Sequence, residues 1–174
     1  MHLDVPYISA RRVRHNLGAF GMTAALGLFS VGGLATRCAP QPPPIEQVAD
    51  VQQPVVDSAN QYRAQSGLGA VSIDQRLTNA AQSHANDMAA RSVMTHTGAS
   101  GSTAGQRINV AGYGWTTWAE NVAAGQTTPG EVMNAWMNSP GHAANVRNRN
   151  MINIGVAAAV GANGVTYWAM VLAA

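Results

Sequence analysis

Lysine is absent from this 174-residue chain, cysteine occurs once, and only 10% of the residues are charged. A single cysteine, Cys38, excludes an internal disulfide framework, so the folded part must be stabilised by packing. Few charges and a 47% apolar share exclude a disordered chain, which lacks the apolar surface that folding requires. The pI of about 9.1 resembles that of a nucleic-acid binder, but the distribution of charge argues otherwise. Arg11, Arg12 and Arg14 precede the first apolar run, and from Pro54 onward six arginines meet five acids, a net charge of +1. No arginine cluster forms a face there, so a phosphate-binding groove is excluded and nucleic acid is not an expected partner.

The excess basicity belongs to the N-terminus. Residues 1–18 carry those arginines, and residues 19–36 are apolar, small and uncharged. A basic segment followed by such a run reads as an export signal, with Gly33-Leu34-Ala35 offering cleavage after Ala35. At about 18 residues the run is also near the ~20 needed to span a bilayer, so a signal anchor through residues 19–36 is the competing reading. Lipidation at Cys38 is disfavoured by Arg37, which stands where a small residue is normally required. The expected organisation is a signal peptide or anchor over 1–35, a proline-rich linker over 36–52 containing APQPPP, and one folded domain over 53–174. The N-terminal segment would engage the export machinery, placing the domain outside the cell or in the cell envelope.

Within the domain, Pro54 suits a helix start, and Gly67 and Gly69 a helix end. Asp74 is a good N-cap for a second helix, in which Leu77, Ala80, Ala81, His84, Ala85 and Met88 recur at three- and four-residue steps as one buried stripe. Thr128-Pro129-Gly130-Glu131 is a capping box for a third helix, stopped by Pro140-Gly141. Residues 152–160 and 165–172 read as strands joined by a Gly161-Ala162-Asn163-Gly164 turn, and residues 113–124 as a further strand. Helices followed by an antiparallel sheet predict an α+β fold with helices on both faces of the sheet.

Three side chains stand out chemically. His96 and His142 lie past the ends of the second and third helices, where loops can bring imidazoles together. Glu120 is alone in an apolar and aromatic strand, where an unpaired carboxylate is costly to bury, so a cleft or a partner is required. Two imidazoles and a carboxylate are also ligand types for zinc or another divalent cation. Against this, a lone loop histidine is commonly solvated or capping, and His84 on the helix stripe reads as a core histidine. Asn121 and Asn145 read as loop ties, and the tryptophans and methionines as packing.

The ordered series MTHTG, AEN, WMNSPGH, NIGVA and YWAMVL, with Asn60 and Arg63 ahead of Gly67-Leu68, resembles the CAP superfamily of cysteine-rich secretory, antigen 5 and pathogenesis-related proteins, in its small bacterial form. The resemblance covers about Val55 to Leu172. It implies a three-layer α-β-α sandwich with a central antiparallel sheet and a cleft holding two histidines and two acids, sometimes around a divalent metal. His96, Glu120 and His142 match three of those positions. The fourth, an acid after the helix-three tryptophan, falls on Ser139 or Pro140, and Ala119 stands where glycine is usual.

Two functions follow as expectations. One is a ligand-binding or interaction module, its partner a lipid or sterol or a cell-wall component, consistent with the missing acid and the lack of a nucleophile motif. The other is a metal-assisted hydrolase in which His96 and His142 hold a metal-bound water and Glu120 acts as base.

Overall fold

The two C-terminal apolar runs form the middle of a four-stranded sheet. The computed structural model describes the backbone of residues 46–174 and side chains from Val51 onward, so residues 1–35, expected to be a signal peptide or anchor, and Cys38 lie outside the described residues. The elements are α1 (Glu46–Gln65), β1 (Ser72–Ile73), α2 (Gln75–Arg91), α3 (Ala104–Val110), β2 (Trp118–Ala124), α4 (Pro129–Met137), α5 (Pro140–Val146), β3 (Asn153–Val160) and β4 (Thr166–Ala173). β3 and β4 pair antiparallel from Asn153↔Ala173 to Val160↔Thr166, and Gly164 closes the turn at φ +74. The strand order is β1-β3-β4-β2, with β2 antiparallel to β4. The expected antiparallel sheet is therefore present, with one addition: the two residues of β1 pair parallel to β3.

Strand alternation sends side chains to two separate cores. From β4, Trp168, Met170 and Leu172 join Val55 and Ala59 of α1, Val132 and Trp136 of α4 and Val146 of α5. Tyr167, Ala169, Val171 and Ala173 face the other way, against Leu77, Ala81, Ala85 and Met88 of α2 and Ile108 of α3. These are the layers of an α-β-α sandwich. Trp136 and Trp168 are fully buried and donate their indole N–H to Val122 O (3.2 Å) and Gln126 O (2.8 Å). Arg63, also buried, has no acidic partner among the described residues; it donates instead to the carbonyls of Gly69, Val146, Asn148 and Met151, tying the end of α1 to the segment after α5.

The local signals are borne out at Asp74, which caps α2, and at Thr128 and Glu131, whose reciprocal bonds open α4. Other expectations are corrected. α1 begins at Glu46 and runs through Pro54, so residues 46–52, read as the end of the linker, are helical. Two seven-residue helices, α3 and α5, were not anticipated, because neither is long enough to carry an apolar period. Pro140 ends one helix and opens the next, which moves His142 from a loop onto α5. The strand expected over 113–124 starts only at Trp118.

Gly155 sets how closely α2 lies on the sheet. A Cβ there would overlap the backbone of Leu77 and Thr78, which cannot swing aside as a flexible side chain does. Gly155→Ala is expected to destabilise the domain by about 3 kcal/mol or more, read as a lowered urea midpoint with an unchanged denaturant slope.

Candidate functional site

β2 is an edge strand, bonded to β4 on one side only. Ala119 and Ala123 face the core of α1, α4 and α5, while Val122 faces that of α2 and α3. Glu120 has the register of Val122, so its carboxylate enters the α2–α3 side, where it is 4% exposed. Both of its oxygens are engaged. Arg107 of α3 reaches Oε2 at 2.6 Å, and His96 Nδ1 lies 2.9 Å from Oε1. Since a carboxylate only accepts, the proton of this bond sits on His96 Nδ1, which leaves Nε2 for another partner. His84 Nε2 stands 3.9 Å from Oε1 and donates to Thr95 O at 2.7 Å.

Burial opposes ionisation of Glu120. The hydrogen bond from His96 and the positive charge of its neighbours outweigh it, holding the carboxyl below its ordinary value. His84 is shifted down because burial outweighs the attraction of Glu120. The cluster also holds the segment between α2 and α3. Arg107 donates to His96 O (3.1 Å) and Ser102 O (2.8 Å), and Ala99 N donates to Asp87 Oδ2 (3.1 Å).

Of the three residues expected to share a site, His96 and Glu120 are in direct contact. His142 is close enough for the charge of His96 to bear on it, but no hydrogen bond or ion pair joins it to Glu120. It approaches from the opposite layer, where Asn121 donates to its carbonyl (3.2 Å) and Asn145 donates to Asn121 Oδ1 (2.8 Å) and Glu120 O (3.3 Å). The two asparagines are the ties that the sequence suggested. His142 is 2% exposed and its Nδ1 is buried without a partner. Burial, aided by the charge of His96, lowers its pKa to about 4. At the expected fourth position, Ser139 or Pro140, the start of α5 supplies no carboxylate.

Sequence reasoning missed Arg107, although a signal existed: it is the sole charged residue between His96 and Glu120. His84 was read as core, and it is buried, but it also belongs to the Glu120 cluster. Among the described residues, no three His, Cys, Asp or Glu side chains are grouped so that they could hold a metal ion. The donor chemistry agrees, because a cation at Glu120 would have to displace His96 and sit beside the Arg107 guanidinium.

The pattern of the CAP family, the cysteine-rich secretory protein family, matches residues 56–172. The chain belongs to this family. Over 109 residues it is 35% identical to the uncharacterized protein YkwD of Bacillus subtilis, a match covering 63% of this chain and 42% of that protein. The chain thus spans less than half of that relative. An extracellular protein containing an SCP domain from Bacillus anthracis has a similar fold (TM-score 0.68, 23% identity, 76% of this chain and 44% of that one). So does an outer surface protein of Borrelia burgdorferi (TM-score 0.64, 24% identity, 70% of this chain and 90% of that one).

The buried His142 of this CAP domain makes stability depend on pH. Its folded pKa, about 4, lies below the ordinary 6.5, so the unfolded chain binds the extra proton between those values. Stability is therefore full above pH 6.5 and falls as pH drops towards 4, by up to about 3 kcal/mol from this group. The depressed Glu120 and His84 act in the same direction. His142→Gln is expected to flatten the pH 4–6.5 part of the stability curve, measured by urea unfolding at a series of pH values.

Proposed function

We propose that this CAP domain is an exported ligand-binding module whose recognition site is the cleft of His96, Glu120 and His142. The observation that carries this reading is the saturation of Glu120. With Arg107 on one oxygen and His96 on the other, the carboxylate orients an imidazole and is not free to act as a base or to ligate a metal. That arrangement counts against metal-assisted hydrolysis, which needs the same carboxylate unoccupied. His96, with 30% of its side chain exposed, presents Nε2 to a ligand hydroxyl or amide, and His142 supplies a second imidazole nearby. A sterol, a lipid headgroup or a wall polymer carries such groups. The export reading is supported by the basic and apolar N-terminal segment and by two structural neighbours described as an outer surface and an extracellular protein. Among the described residues no helix is long and apolar enough to cross a membrane.

Purified protein is expected to show no zinc-dependent rise in melting temperature beyond about 1 °C. It is expected to bind lipid vesicles or isolated wall fragments saturably, and His96→Ala with His142→Ala is expected to abolish that binding while the fold remains. Submicromolar zinc binding, together with peptide hydrolysis lost in His142→Ala, would establish the hydrolase instead.

A further inference from the structure

The two halves of the cleft belong to different layers. Glu120 and the His96 it holds lie on the α2–α3 side of β2, whereas His142 is carried by α5 on the opposite side. The hydrogen bonds that cross between α5 and β2 at the cleft run through two asparagines. Asn145 Nδ2 donates to the backbone carbonyl of Glu120 (3.3 Å) and to Asn121 Oδ1 (2.8 Å), and Asn121 Nδ2 donates to the carbonyl of His142 (3.2 Å). Both ends of this relay are backbone carbonyls, which only accept, so the orientation of each side-chain amide is fixed. The relay thus grips the main chain of two residues whose side chains form the cleft.

α5 is seated by other contacts at its far end. Val146 is fully buried in the core of α1 and α4, and Arg63 donates to Val146 O (2.8 Å). Those contacts hold the C-terminal end of the helix but leave open how its first turn, with His142, is rotated towards β2. Asn145 stands three residues after His142, at neighbouring positions on one helix face, so the bonds at Asn145 and at His142 O determine that rotation. Stability alone is a poor reason for this pair. Both asparagines are buried, and Asn145 Oδ1 finds no partner among the described residues. Two apolar side chains of similar shape would join the layers with no acceptor left bare. They would lack direction, because burial of apolar surface fixes no angle as a hydrogen bond does.

We infer that Asn145, acting with Asn121, is the positioning residue of the cleft: it sets where His142 stands relative to the His96–Glu120 pair. This rests on the reading of the cleft as a recognition site, in which a ligand meets both imidazoles at once. The test follows the histidine ring nitrogens of the full chain by NMR at neutral pH. In the wild type, His96→Gln is expected to move the His142 ring resonances, because the two rings are near enough to interact. In an Asn145→Leu background the same substitution is expected to move them at least about twofold less. If Asn145→Leu does not fold, Asn121→Leu combined with Asn145→Leu, which removes both partners of the pair together, takes its place. Binding of phosphatidylglycerol vesicles or isolated wall fragments is expected to weaken at least about tenfold in the same folded variant. The inference is overturned if the His142 displacement is equal in both backgrounds, the asparagines then serving stability alone. It is equally overturned if the Asn145 side-chain NH2 of the wild type exchanges with solvent as fast as an exposed amide. A wild type that binds neither probe, with a ring displacement that still depends on Asn145, would sink the recognition reading and support the positioning role.

Discussion

Burying Glu120 beneath an edge strand removes a carboxylate from water, a cost of several kcal/mol unless charge and hydrogen bonds replace the lost hydration. Arg107 and His96 provide that replacement, with His84 3.9 Å away, and each comes from a different part of the chain. α2 contributes His84, the following segment His96, and α3 Arg107. Much of the organisation between residues 84 and 120 depends on this one carboxylate. Arg107 in turn holds the carbonyls of His96 and Ser102, so one ion pair also fixes backbone that has no regular structure.

The same arrangement explains the chemical character of the cleft. A carboxylate bonded at both oxygens orients and polarises its neighbours. His96 is thereby held in one orientation, and His142 stays neutral through the physiological range because it is buried. Neither Ser139 nor Pro140 at the start of α5 brings a further acid, and a guanidinium stands where a cation would be attracted. These features give a cleft suited to hydrogen-bonded recognition.

How much was legible in the sequence follows from how local each signal is. The caps at Asp74 and Thr128, the α2 stripe and the β3–β4 hairpin are encoded within a few residues, and all were readable. A shared cleft for His96, Glu120 and His142 is the expectation from separated motifs and from the cost of a bare carboxylate in an apolar strand; the direct bond from His96 to Glu120 is what the structure adds. The ordered motifs also pointed to the family and its layered fold. Less visible was α5, whose seven residues follow directly on Pro140 and convert a loop histidine into a buried one. Arg107 escaped for another reason. Its role is set by α3 packing over β2, which no local period reports, and only its isolation among uncharged residues marked it. The helical course of α1 through Pro54 likewise contradicts a local rule that a long helix can override.

A double-mutant cycle on Glu120→Gln and Arg107→Met, followed by urea unfolding at neutral pH, tests most directly whether this ion pair holds the site together. The pair is buried and close, so each single substitution is predicted to cost about 3 kcal/mol or more, and the double substitution much less than the sum, leaving a coupling of about 2 kcal/mol. Additive losses, with a coupling near zero, would contradict the account.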